Sequence, residues 1–582
     1  MKNIKTLLII AIFFASVISP ISCNKKFLDY TPQGALGQNV LATKDGLTQL
    51  LTGAYGWLYG VTSDDLTSVF LGYTSHSNWL YGSGNAVDAL GAYFSVTPSN
   101  TAFDAKWRAD YAGISMCNQV ITVAALVTNM SDDDKTNIIA QARFLRGYYY
   151  FDLKKIFNMV PWIDETTTDA NQPNNTDIWP NIEADFLFAM DNLPETQADN
   201  GRVNKWAAAS FLGKTYLYEQ KYDDSKTVFD DVIANGVTAG GISYDLNAQF
   251  EDNFRPEKEL TSPEAIFSIA MAANVGNSNI YSANFGTMLD FPINSPFGCC
   301  GNFNPTFDLA NSYRTNETTG LPYLDDYNSN ALKTDFGVSS DDPFEPDEGP
   351  LDPRLDWTVG RRGIPFLDWG LHPGQNWVQN TASSGVYHNL KNVYWQATQG
   401  QYHDASSWAP GTAINVRLIA FDDVLLMAAE CEAQLGNLDK AEEYVNRIRN
   451  RAANPAGWLY KYKDNASPMG GFSAEPAANY VIKPYPSGNF AGSGKDYALK
   501  AIYFERKLEL GMEGHRFFDL VRWGILDSTL NIIYTYLDPL STSIATIRLT
   551  PVLDGYYPIP QSEIDLSSVN GEAVLVQNLG YK

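Results

Sequence analysis

Along most of the chain apolar residues recur at steps of three and four, which puts them on one face of a 3.6-residue helix. Leu47, Leu50, Leu51, Ala54, Tyr55 and Leu58 do so over residues 43–59, and Trp107, Tyr111, Ile114, Cys117 and Ile121 over residues 107–126. Ser131 before Asp132, Asp133 and Asp134 reads as an N-cap with an acidic first turn. The helix it starts continues through ARFLRGYYYFDLKKIF, and residues 178–193 give another. Residues 205–219 and 222–233 form a helix pair, with Ala209 and Gly213 where helices must approach closely and Trp206, Tyr216 and Phe229 where a neighbour must be filled. Residues 424–435 and 439–451 repeat that pattern far downstream. Copies so unevenly separated predict a split tetratricopeptide-like solenoid rather than a tandem one.

Between the copies the period is lost. Residues 240–415 are rich in Gly, Pro, Asn and Trp, and read as an irregular insert. Within it, the acidic run at 339–352 (SSDDPFEPDEGPLD) is expected to be a solvated loop; it lacks the spacing of an EF-hand, and no metal is assigned. Residues 352–377 gather Trp357, Trp369, Trp377, Arg361, Arg362 and His372 among turn residues, in a chain that elsewhere places aromatics at helical spacing. Residues 72–84 (GYTSHSNWLYGSG) form an earlier loop, and residues 454–495 a later irregular stretch.

Composition adds three constraints. The 582 residues carry 45% hydrophobic and 18% charged side chains, as an ordinary globular protein does. The 13 Trp, 33 Tyr and 30 Phe are enough to fill a large helical core and also offer flat stacking surfaces. A net charge of −25 repels a phosphate backbone and excludes nucleic acid as a partner. The five cysteines (Cys23, Cys117, Cys299, Cys300 and Cys431) have neither a disulfide-framework nor a zinc-site spacing. The adjacent Cys299 and Cys300 are either a vicinal disulfide or two free thiols.

The densest signal is C-terminal. Tyr497, Ala501, Phe504, Leu508 and Met512 make one apolar helical stripe, with Glu505, Glu509 and Glu513 one turn apart on another face. Such a like-charge line needs compensation, and Arg506, Arg516 and Arg522 are near enough in sequence to give it. Gly514 is expected to end that helix, and Phe517, Phe518, Leu520, Val521 and Trp523 face a short second one. The segment reads as an Arg/Glu lattice tying two helices to a core. Together the stretch at 505–524 (ERKLELGMEGHRFFDLVRWG), YYPIPQ at 556–561 with Glu563 and Ile564, and QNLGY at 577–581 resemble the C-terminal signature of the SusD/RagB family. Leu579 stands where that family usually has proline, and Ala420 and Phe421 replace its arginine and tyrosine.

The N-terminus is a targeting segment: Lys2 and Lys5, an apolar run at 7–17, then Ser22 and Cys23. It resembles a lipoprotein signal peptide over residues 1–22, with Cys23 as the acylated residue, although Pro20 and Ile21 depart from the usual lipobox. The rest, 23–582, is expected to be one SusD-like domain. Its helical repeat parts lie at 43–235 and 416–452, with C-terminal helices at 497–524. The fold class is therefore mainly α, a tetratricopeptide-like scaffold with a loop-rich insert forming the ligand face.

No H-E-x-x-H or G-x-S-x-G motif occurs, and the glycine-rich 488–496 has Asp496 where a P-loop needs Ser or Thr. Neither catalysis nor a cofactor is expected. The resemblance implies a surface lipoprotein of the outer membrane that captures an oligosaccharide and delivers it to a SusC-like TonB-dependent transporter, with the repeat helices facing that partner. A cap for peptides, or a surface glycoside hydrolase, are the rival readings. Sugars offer apolar C–H faces and outward hydroxyls, which suit Trp and Tyr platforms bordered by polar groups. The candidate contacts on irregular segments are Tyr73, His76, Asn78, Trp79 and Tyr81; Asn302 and Phe303; and Arg361, Arg362, Trp369, His372 and Trp377.

Overall fold

The computed structural model describes residues 41–59, 97–275, 282–283, 286–287, 290–298, 301, 303–378, 381, 385–406, 410–537 and 555–581. The signal segment with Cys23, the early-loop candidates Tyr73, His76, Asn78, Trp79 and Tyr81, and Cys299, Cys300 and Asn302 lie outside these residues.

Six helices open the described chain: α1 (Lys44–Gly56), α2 (Thr101–Ala124), α3 (Asp132–Phe157), α4 (Trp179–Asn192), α5 (Lys205–Tyr218) and α6 (Tyr222–Asn235). Their starts are set by side chains that accept orphan backbone N–H groups. Thr43 accepts from Gly46, Ser131 from Asp134 and Asn204 from Ala207, at 2.9–3.1 Å. From α2 onward each helix packs on the next, and α6 then packs on α7 (Phe421–Gln434), which continues to α8 (Leu438–Ala453) and α9 (Lys495–Glu509). The two separated helix pairs are thus neighbours in space, as a split solenoid requires.

A two-stranded ribbon explains how the interruption is tolerated. Strand β1 (Ala265–Ile269) leads into the insert and β4 (Val416–Ala420) leads out of it. They pair antiparallel with Ala265 opposite Ala420, so the chain leaves and returns at one point of the helical stack. Within the insert, β2 (Val359–Gly360) pairs with β3 (His388–Asn389). Beyond α9 come α10 (Arg516–Arg522), α11 (Leu526–Leu537) and α12 (Gln561–Leu566).

Close packing of the first pair depends on Gly213. A Cβ there would lie 2.6 Å from Phe229 Cε1, while Ser225 Oγ donates to the Gly213 carbonyl at 2.8 Å. Gly213→Ala raises helix propensity by about 1 kcal/mol yet forces Phe229 out of place at about 1–3 kcal/mol. The expected net result is a lower denaturant midpoint; an unchanged midpoint would show that the ring swings aside freely.

Two apolar cores result. One joins α1–α8 with β1 and β4; the other fills the insert around Phe291, Phe297, Phe307, Leu355, Phe366 and Tyr394. Helix α9 belongs to both. Ala498, Ala501 and Ile502 enter the first core, and Phe504 and Leu508 the second, so the apolar stripe read from the sequence runs out of one core into the other. The helix also stops earlier than expected. It ends at Glu509, five residues before the turn glycine Gly514 (φ +81°), and Met512 adopts φ +67° in between.

The carboxylate line of α9 does meet arginines, although not those expected. Arg354 of the insert reaches Asp352, Glu505 and Glu509, each at 2.7 Å. Arg449 of α8 pairs with Glu505 at 2.9 Å, and Arg451 with Glu509 and Glu264. Glu513 takes Lys391 of the insert at 2.6 Å. Arg506 turns instead to Asp423 and Asp519, Arg522 to Glu430 and Asp519, and Arg516 donates to the Tyr503 carbonyl. The glutamates bind the insert to the helical stack; the arginines of their own segment bind α7 and α10. The acidic run at 339–352 also departs from expectation. Asp341, Asp342 and Glu345 are exposed, but Asp347 and Asp352 are buried against Arg314 and Arg354.

Candidate functional site

The tryptophan-rich segment folds as a hairpin projecting from β2. Gly363 N–H donates to the His372 carbonyl (2.9 Å), His372 N–H to Ile364 (3.0 Å) and Phe366 N–H to Gly370 (2.9 Å). At the tip, Leu367 (φ +53°) and Gly370 (φ +112°) make the reversal. The Tyr462 hydroxyl holds the tip by donating to the Leu367 carbonyl (2.8 Å) and accepting from Gly370 N–H (3.2 Å). Asp368 accepts from the Gln396 and Ala397 N–H groups at 2.7 and 2.8 Å. An irregular segment is thereby fixed from several sides, which suits a surface whose side chains must be pre-placed.

Around this hairpin the aromatic rings converge on Phe297. Trp369 lies 4.7 Å from it edge-on, Tyr394 5.5 Å, Phe366 6.1 Å and Trp377 6.5 Å. Tyr394 in turn stacks on His403 at 4.6 Å and 15°. Trp369 spends its indole N–H on the Tyr394 carbonyl at 2.8 Å. The Trp377 indole is different: it is partly exposed, and among the described residues its N–H has no acceptor. Beside it, Gln375 and exposed Asn376 also make no side-chain hydrogen bond among the described residues. A half-open indole next to two unspent amides offers an apolar plate with polar reach.

The structure brings Trp369, His372 and Trp377 together around Phe297 and Phe366, with Arg362 beside Gly374 of the same turn. Arg361 is buried and bidentate on Asp356 (2.6 and 3.0 Å), which also accepts from the Tyr480 hydroxyl. Arg362 donates to the carbonyls of Ser339, Ser340 and Asp342. Phe303 is buried in the insert core at φ +54°. His372 is buried and bonded to His388. Sequence reasoning passed over Gln375 and Asn376; the only signal for them was their position in a turn directly before a tryptophan.

Two further clusters gather buried carboxylates. Buried Glu264, Asp422 and Glu509 approach one another at metal-ligand spacing, but Arg451, Arg417 and Arg354 already pair with them. Asp290 is buried in the insert and accepts from Asn389 (3.1 Å) and Asn392 (2.6 Å); burial pushes its carboxyl up to about 8. Folding above the ordinary Asp range therefore requires proton uptake, so this group weakens the fold progressively as pH rises towards 8. Asp290→Asn keeps the shape without that requirement. Its melting temperature is expected to exceed the wild type's by a margin that grows between pH 4 and 8, and a constant margin would refute the assignment.

Comparison with known proteins now decides the kinship. A family model described as the SusD family matches residues 263–581, more than half of the chain. The chain belongs to the SusD family. A second model, described as starch-binding associating with outer membrane, matches residues 26–217. SusD-like protein P25 of Formosa agariphila is 24% identical over 98% of this chain and 99% of its own length. Among solved structures, a SusD superfamily protein from Bacteroides vulgatus superposes with a TM-score of 0.63 at 20% identity, covering 92% of this chain and 99% of the other. Surface glycan-binding protein A from Bacteroides thetaiotaomicron, solved with laminarihexaose, gives 0.60 at 19% identity over 92% and 99%. These likenesses establish the mainly helical SusD-like fold.

Proposed function

We propose that this SusD-family protein is a surface lipoprotein, acylated at Cys23, that binds oligosaccharide at the outer membrane without cleaving it and passes it to a SusC-like TonB-dependent transporter. The observation that carries the binding part is the Trp377 indole, rigidly mounted, partly open and, among the described residues, unbonded at its N–H, beside Gln375 and Asn376. An indole face stacks on the C–H face of a sugar ring while amides reach its hydroxyls. The family's second model, with its starch and outer-membrane description, and the laminarihexaose complex of a related fold support the same ligand class. In this reading Tyr73, Trp79, Tyr81 and Asn302 complete the site, Trp369 braces it and buried His372 supports it from behind, while Arg361 and Phe303 hold the insert together.

Calorimetric titration of the chain from residue 24 onward against laminarihexaose and a panel of neutral and anionic oligosaccharides tests this, with product analysis alongside. Binding without new reducing ends is expected. Trp377→Ala is expected to weaken it by about 2 kcal/mol, roughly thirtyfold, the loss typical of a central aromatic anchor. Trp369→Ala should chiefly lower the melting temperature. Binding of peptides but of no oligosaccharide would overturn the reading, as would turnover of a bound glycan.

A further inference from the structure

The His372–His388 pair is buried directly behind Trp377, and its hydrogen bonds fix which nitrogen carries each proton. Gly374 N–H donates to His372 Nδ1 at 3.1 Å, so in the neutral ring the proton sits on Nε2. His372 Nε2 lies 2.8 Å from His388 Nδ1 and must donate to it. That leaves the His388 proton on Nε2, an atom with no hydrogen-bond partner among the described residues. The chain of hydrogen bonds begins at Gly374, the cap of the Gln375–Trp377 turn, and runs through His372 to His388. Its far end is anchored in the insert, because His388 belongs to β3 opposite Gly360. The imidazole of His372 also touches the Trp377 indole edge-on at 5.2 Å. Gly360 makes room for the arrangement: a Cβ there would lie 2.4 Å from Phe366 Cε2 and 3.5 Å from His372 Cδ2.

We infer that His372 and His388 are positioning residues, a neutral imidazole relay that fixes the 374–377 turn and thereby the orientation of the Trp377 plate. A proton on His388 Nδ1 would set two donors against each other at 2.8 Å, so the relay works only when both rings are neutral. Burial enforces that state: it pushes His388 down to about 3, and burial, His388 and Arg362 hold His372 well below the ordinary imidazole range. The charged groups facing the turn from behind are Arg362 and the Asp335 carboxylate, both beside Gly374. The inference rests on the proposed glycan reading only for its binding consequence, because the geometry of the turn can be read without ligand.

The test uses 5-fluorotryptophan-labelled protein, with the Trp377 ¹⁹F resonance assigned by Trp377→Phe. His388→Leu removes the acceptor for His372 and should shift or broaden the Trp377 resonance while the other tryptophans stay in place. His388→Asn, whose carbonyl oxygen stands where Nδ1 did, should restore it. With laminarihexaose as probe, a turn correctly oriented about a tenth of the time raises Kd about tenfold in His388→Leu, with recovery in His388→Asn. An unmoved Trp377 resonance in His388→Leu overturns the inference. Should that variant not fold, ¹⁵N spectra of the wild-type imidazoles decide: both rings are expected as Nε2–H tautomers that do not titrate between pH 5 and 8, and an Nδ1–H tautomer or titration in that range overturns it. A resonance that moves in a protein binding no glycan would uphold the relay and sink the proposed function instead.

Discussion

Arg354→Ala is expected to destabilise the protein by about 3–5 kcal/mol, the cost of leaving buried charges without their partner. The residue is 1% exposed and serves Asp352, Glu505 and Glu509 at once. Burial alone would raise the carboxyl of Asp352, but the Arg354 guanidinium outweighs it and holds the group below the usual carboxylate range. With the guanidinium gone, Glu505 and Glu509 keep Arg449 and Arg451, but buried Asp352 loses its ion-pair partner and must take up a proton or stay charged in an apolar setting. The loss should therefore be smaller at pH 5 than at pH 8, because protonation relieves it. Arg354→Lys should fall between, since one ammonium cannot reproduce a planar fork. Equilibrium denaturation at both pH values measures this. A loss under about 1 kcal/mol, within the range of exposed pairs, would mean that the clamp between insert and helical stack is not stabilised by this residue.

Asp423→Ala should cost a similar 3–5 kcal/mol, with the opposite dependence on pH. Asp423 lies between Lys214 of α5 (2.9 Å) and Arg506 of α9 (2.8 Å), and joins three helices through two buried cations. Burial would raise its carboxyl, but Lys214 and Arg506 hold it far below the usual range. In the wild type this contribution is present above the ordinary Asp pKa and is lost only as pH falls well below it. In the variant, Lys214 faces Arg506 without a counter-charge. Burial already depresses Lys214, so it sheds its proton and the variant recovers stability as pH rises. The penalty is expected to be larger at pH 6 than at pH 9. Lys214→Met combined with Asp423→Ala should be more stable than Asp423→Ala alone; if the double variant is worse, the two side chains are not acting as a pair.

The helices were legible because their burial is local and periodic. Ser131 and its three aspartates mark the helix start that the structure shows, with Ser131 as N-cap, and the two helix pairs are visible from small residues such as Gly213 opposite large ones such as Phe229. The ribbon that closes the split was not, since Ala265 and Ala420 are remote in sequence and nothing in either strand names its partner. The candidate site was half legible. Trp369, His372 and Trp377 were singled out for lying among turn residues, and they do meet around one hairpin. Sequence could not tell that Trp369 has spent its N–H on Tyr394 while Trp377 finds no acceptor among the described residues, nor that His372 works behind the surface.

By itself the sequence determined what depends on neighbours along the chain: helix spans, caps, the irregular insert, and three C-terminal blocks specific enough to indicate a family. Partner choice across the core belonged to the tertiary structure alone. Glu505, Glu509 and Glu513 needed cations, and arginines of the same segment were the nearest in sequence. Yet a side chain on a helix reaches only what the fold brings to its own face. The glutamates of α9 and its turn face Arg354, Arg449, Arg451 and Lys391, whereas Arg506 points to Asp423 and Asp519. Helical periodicity fixes the direction of a charge, and only packing supplies the charge that meets it.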